Sequence, residues 1–275
     1  VNKDAVQEKI AEIESLRSSP ADALEPLRKA LRDRNNLICS KAAGVAGDLL
    51  LRDAIPDLIA AFDRFLKDAA KTDPKCWAKN AIVKALKDLM YEDPAIYLRG
   101  LSHVQMEPVW GGQEDAAGTL RGACALALVA CSLPRDVILL HLADALADPL
   151  LRVRGDAARA IGQLPGQDSI LMLRVKTQAG DQEPPVIGQC FLSLLGMDAR
   201  GSIPFVARFL TSANEDLQYE AAAALGECPE VLAVETLIAR WRVEKSADMK
   251  RAILLSLGVS RLAEAKAFLD QLQES

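Results

Sequence analysis

Small and aliphatic residues gather in seven blocks along the chain: AAGVAG, IVKALK, CALALV, AARAIG, FLSLLG, AAAALG and ILLSLG. Their reference positions are Gly47, Lys87, Val129, Gly162, Gly196, Gly226 and Gly258. Successive reference positions lie from about 30 to 42 residues apart, the range in which self-similarity signals a solenoid of stacked repeats. The pattern is clearest over 146–164. There Asp148 and Pro149 break a first helix, and Val153, Ala157, Ile161 and Leu164 fall at helical spacing on a second. Alanine and glycine let helix backbones approach, while Leu86, Leu128, Ile161, Leu225 and Leu257 fill the remaining space. Each block therefore predicts close stacking of second helices.

Taken in order, residues 3–18 put Val6, Ile10, Ile13 and Leu16 on one stripe and charges elsewhere, as an end cap requires. Helix pairs are predicted at 21–32 with 37–50, and from about Ile55 through Phe65 with 75–91. A short helix at 95–101 opens the third pair. Later pairs occupy 135–164, about 169–198, Ile203 to Phe209 with 216–228, and 231–243 with 247–259. A last helix, 262–272, closes the chain. The stretch 102–118, SHVQMEPVWGGQEDAAG, interrupts this rhythm, since Pro108, Gly111 and Gly112 argue against a continuous helix. It carries His103 and Trp110. Two readings stand: a functional insertion on one face, or a plug in which Met106 and Trp110 fill the groove between neighbouring pairs. The expected organisation is one domain over 1–275, with a cap at 1–19, about seven pairs over 20–264, the insertion at 102–118 and a second cap at 265–275.

A second column supports the register, an acid followed five residues on by an apolar residue and then by a base. It reads Asp73, Ala78, Lys79; Asp115, Leu120, Arg121; Asp148, Val153, Arg154; and Glu244, Met249, Lys250. With the LxDxxxxVRxxAAxAIG-like string at 146–162, these residues resemble HEAT repeats, most of all the short variety of phycobilisome lyases. The first pair departs at Cys39, where the base should stand, and the fifth (Ile187, Gly188) and sixth (Leu217, Gln218) also lack it. The resemblance implies an all-α fold, a right-handed α-α superhelix in which the acid caps the turn, the base ties repeats together, and second helices line the concave side.

Composition narrows the class. Half of the residues are apolar but only 4% aromatic, which favours helices, and the net charge of -5 disfavours a nucleic-acid surface. Six cysteines without a CxxC are expected to be buried free thiols, pointing to a reducing compartment and a cytoplasmic setting. No apolar run is long enough to span a bilayer and no signal-type segment opens the chain. It begins at Val1, which leaves an excised leader open.

Catalytic sets are missing from the sequence. Two histidines, His103 and His141, belong to no HExxH or His-Glu pair, so the ligands of a HEAT-like deoxyhypusine hydroxylase are not there. No phosphate-binding or nucleophile motif occurs either. No cofactor or metal is expected. Under the register above, the outward columns of the second helices hold Trp77, Asn80 and Lys84, then Arg152 and Arg159, then Gln189 with Ser193, then Tyr219; Trp110 and His103 join them from the insertion. Arg152, Arg154 and Arg159, near Arg121 and Arg174, read either as a site for an anionic partner or as ion pairs with Asp148 and Asp156 that hold the stack. The expected function is a non-enzymatic interaction scaffold that takes a protein or peptide, an acidic one among the candidates, on the concave face. The alternatives are a lyase-like or chromophore-handling subunit, and a nucleic-acid-binding protein similar to the HEAT-like alkylpurine DNA glycosylases.

Overall fold

The structure, a computed structural model, describes residues 3–274; residues 1, 2 and 275 of the expected caps lie outside the described residues. The chain divides into two compact units, 1–138 and 139–275. The N-terminal unit holds α1 (Lys3–Ser15), α2 (Leu24–Leu31), α3 (Asn36–Asp48), α4 (Ile55–Phe65), α5 (Ala69–Thr72), α6 (Trp77–Asp88), α7 (Pro94–Leu101), strands β1 (Met106–Val109) and β2 (Gly112–Asp115), and α8 (Gly118–Leu128). The division falls within α9 (Arg135–Ala145). The C-terminal unit continues with α10 (Leu151–Gly162), α11 (Gln167–Ala179), α12 (Pro184–Met197), α13 (Ala199–Ala207), α14 (Glu215–Glu227), α15 (Val231–Val243), α16 (Ala247–Val259) and α17 (Ala263–Gln273).

Helix starts follow capping chemistry. Asn35 accepts from the Leu37 and Ile38 amides, Asp93 accepts from Ala95 ahead of Pro94, and Asn214 and Ser246 cap α14 and α16. Second helices pack on second helices: α3 on α6 and α6 on α8 in the N-terminal unit, then α10 on α12, α12 on α14 and α14 on α16 in the C-terminal unit. This is an all-α repeat architecture of HEAT-like helix pairs, with one small hairpin inserted.

The small residues act where the helices touch. A Cβ on Gly162 would lie 2.7 Å from the Cβ of Ser193, one on Gly226 would lie 2.5 Å from the Ser256 carbonyl oxygen, and one on Gly47 would lie 3.0 Å from the Cα of Ala85. The expectation fails at Gly196 and Gly258, where a Cβ would meet open space, and at Lys87, which is exposed. Gly196 and Lys87 keep the spacing of the block without the contact, and Gly258 lies on α16, which no further second helix follows among the described residues.

The acid-and-base column closes carbonyls in three of its four pairs; in the fourth, Glu244 accepts from the Lys245 and Ser246 amides and Lys250 lies over the Trp241 ring at 4.9 Å. Asp73 accepts from the Ala78 and Lys79 amides and meets the Lys79 ammonium at 3.0 Å, both side chains fully buried; Lys79 also donates to the Phe65 carbonyl at the end of α4. Arg121 does the same for the His103 carbonyl and Asp115. Arg154 donates to the Asp148 and Pro149 carbonyls. The base thus closes the exposed carbonyls behind the first helix of its own pair. In the first pair, where Cys39 replaces it, Arg64 reaches in from α4 and donates to the Leu31 and Asp33 carbonyls at 2.7 and 3.0 Å.

The insertion is a β-hairpin. Met106 pairs with Asp115 and Val109 with Gly112, leaving Trp110 and Gly111 as a two-residue turn with Gly111 at φ 89°. Its base is polar and buried. Gln105 donates to the Asp73 carbonyl and to Glu107, accepts from the Cys76 thiol, and sits 3.1 Å from His103 Nε2. Glu107 in turn accepts from the Lys75 amide, which steadies Lys75 and Cys76, two consecutive non-glycine residues at positive φ.

Candidate partner-binding surface

The strained turn at Lys75 and Cys76 delivers Trp77 as the first residue of α6, with its ring half exposed. About one, two and three turns further along α6 stand Asn80, Lys84 and Lys87. The exposed side of α6 faces a groove of about 520 Å³ whose walls are Ser40 from α3 and Thr119, Ala123 and Leu126 from α8. The floor is apolar, formed by Ala81 and Val83 together with the Trp77 ring. The charged lining residues are both lysines. Lys84 pairs with Asp88 at 2.7 Å, which raises its pKa, and Lys87 makes no such pair. Asn80 contributes a buried side-chain oxygen without a hydrogen-bond partner. Such an atom carries a desolvation cost, and its neighbours close it to a donor arriving through the groove.

Three of the expected residues, Trp77, Asn80 and Lys84, therefore share one groove. Ser40, Thr119 and Lys87 escaped the sequence reading, Lys87 because it was assigned to a stacking position. In the C-terminal unit, the Arg159 guanidinium meets Gln189 Oε1 at 3.1 and 3.2 Å, and Gln189 donates to Ser193 Oγ, which donates to the Ala158 carbonyl. Arg152 and Arg159 flank Asp156 at 3.8 and 3.6 Å and remain largely exposed. Tyr219, on α14, is partly buried beside Glu220, a residue missed although it occupies the register position of Asp156. Burial, then the neighbouring Asp216, pushes the Glu220 carboxyl up, and it packs over Gly188.

The insertion splits its two candidates. Trp110 is fully exposed at the hairpin tip and Met106 and Val109 are about half exposed, so the plug reading is overturned: a tight two-residue turn lifts Trp110 off the helices. His103 instead lies in the anchoring network at the hairpin base. Burial lowers its pKa against the opposing hydrogen bond to Gln105. His141 is partly buried on α9.

Arginines of the basic cluster take structural partners. Arg121 serves Asp115 and the His103 carbonyl. In the C-terminal unit, Arg154 serves backbone carbonyls and Asp181, while Arg174 donates to the Gly201 carbonyl and lies over the Phe205 ring at 4.8 Å. Ion pairing that holds the stack accounts for Arg154, with Asp181 rather than the Asp148 side chain as its partner. All six cysteines are free and buried, and burial pushes the Cys39, Cys76 and Cys190 thiols up to about 12, which leaves them protonated and unreactive. Among the described residues, no group of three or more His, Cys, Asp or Glu could hold a metal ion, and no helix is long and apolar enough to cross a membrane.

No protein-family model matches the chain, and no curated protein matches it. Among solved structures, human deoxyhypusine hydroxylase in complex with glycerol is similar at 16% identity and a TM-score of 0.36, over 92% of this chain and 97% of that one. Two engineered proteins are similar at 16% and 14% identity, with TM-scores of 0.29 and 0.30; the matches cover 88% and 98% of this chain and 92% and 87% of theirs. These distant likenesses assign no function to the chain.

Proposed function

We propose that the chain is a non-catalytic helical-repeat scaffold that binds a protein partner on its second-helix face, without a cofactor. The observation that carries this reading is the groove along α6, where an exposed indole and two lysines converge on an apolar floor. Exposed aromatic and cationic groups around an apolar depression are the residues that anchor interfaces. Protonated buried thiols and structurally committed acid-base pairs agree with a binding role rather than a catalytic one.

Photo-cross-linking in extracts of the source cells tests it. A photoreactive residue at Thr119, in the groove wall, should give one defined adduct that is lost in Trp77→Ala. The same residue at Glu25, on the exposed side of α2, should give none. Equal labelling from both positions, or no adduct from Thr119, would contradict the reading.

A further inference from the structure

Resting on the docking reading above, we propose that the α6 groove takes a short extended segment of an acidic partner, with one or two apolar side chains on the floor and carboxylates at Lys84 and Lys87. Three observations carry it. A space of about 520 Å³ holds a few side chains, the load of a short segment. Its charged lining is two lysines and no carboxylate, although the chain as a whole is acidic. Lys87 is unpaired and the Asp88 partner of Lys84 is exposed, so an incoming carboxylate can take both ammonium groups.

The length of the face sets the backbone state of the guest. Trp77 and Lys87 stand ten residues apart on α6, about 15 Å along its axis, a distance that roughly five residues of extended chain span while sending alternate side chains to the groove. Apolar side chains of such a guest reach Trp77 and acidic ones the lysines.

The test uses the whole chain and two fluorescein-labelled decapeptides, one of alternating glutamate and leucine and one of alternating lysine and leucine, read by anisotropy at low and high salt. The acidic peptide should bind at least about tenfold more tightly than the basic one and weaken as salt rises. The double variant Lys84→Glu, Lys87→Glu should lose at least about tenfold, and Trp77→Ala should also weaken binding. The control Lys29→Glu, Lys67→Glu, at exposed positions on α2 and just after α4, should stay within about twofold. These positions are exposed or line the groove, and circular dichroism of each variant separates lost binding from lost folding. Equal binding of both peptides, no saturation by roughly 1 mM, or indifference to the groove substitutions would overturn the inference. If the peptides fail while Thr119 still cross-links a partner, the acidic-segment inference falls and the docking reading stands; if both fail, both fall.

Discussion

Arg154 on α10 and Asp181, in the loop between α11 and α12, form a two-pronged ion pair at 2.8 and 2.7 Å, with both side chains nearly out of solvent. The same guanidinium closes the Asp148 and Pro149 carbonyls, and Lys176 adds a third contact to Asp181 at 2.7 Å. One arginine thus finishes its own helix pair and fastens the next.

Burial alone would raise the Asp181 carboxyl, but the hydrogen bonds from Arg154 and Lys176 outweigh it and hold the group well below the usual carboxylate range. A depressed folded value contributes stability in full above the unfolded value of about 3.9, and loses it as pH falls towards the folded one. Asp181→Asn should therefore cost about 3 kcal/mol at pH 7, because it leaves Arg154 buried and unmatched. The gap between variant and parent should narrow below about pH 4. Urea unfolding from pH 7 to 3 measures it.

Glycines of the repeat divide by what faces them. Gly226→Ala forces a methyl against the Ser256 backbone carbonyl and should destabilise by about 1–3 kcal/mol. Gly155, on α10 with open space around it, should gain up to about 1 kcal/mol as alanine. Thermal melts of the two variants should move in opposite directions.

Leu50 and Met90 close α3 and α6 at φ 53° and 54° with exposed side chains, while Leu51 and Tyr91 donate back to Ala46 and Leu86. That is a helix-ending turn in which glycine is the relaxed choice. Leu50→Gly and Met90→Gly should each stabilise by up to about 1 kcal/mol, seen as a raised urea midpoint with unchanged slope.

These two turns also show where the sequence stopped being legible. Leu49-Leu50 and Leu89-Met90 look like helix interior, so the second helices were expected to reach residues 50 and 91 but end at Asp48 and Asp88. The pairs themselves were readable because Asp148, Pro149, Pro94 and the alanine blocks mark breaks and faces independently of tertiary context. Arg64 was not, since the base it replaces belongs to a column and Arg64 comes from a neighbouring helix. The hairpin lacked a signal too: MEPV and GQED show no alternation of apolar and polar residues, and what orders them is the Gln105 and Glu107 network beneath. Of the binding surface, Trp77, Asn80 and Lys84 were found because one helix face joins them, while Ser40 and Thr119 become neighbours only through packing.

Fluorine NMR of the chain labelled with 5-fluorotryptophan reports on the binding face most directly, because its three tryptophans, Trp77, Trp110 and Trp241, stand in three environments and can be assigned by single Trp→Phe changes. Trp241 packs against Phe268 and serves as the internal reference. On adding the partner recovered through Thr119, the Trp77 resonance should shift and broaden while Trp241 stays fixed. A Trp77 signal unmoved at saturating partner would contradict the assignment of α6 as the docking face.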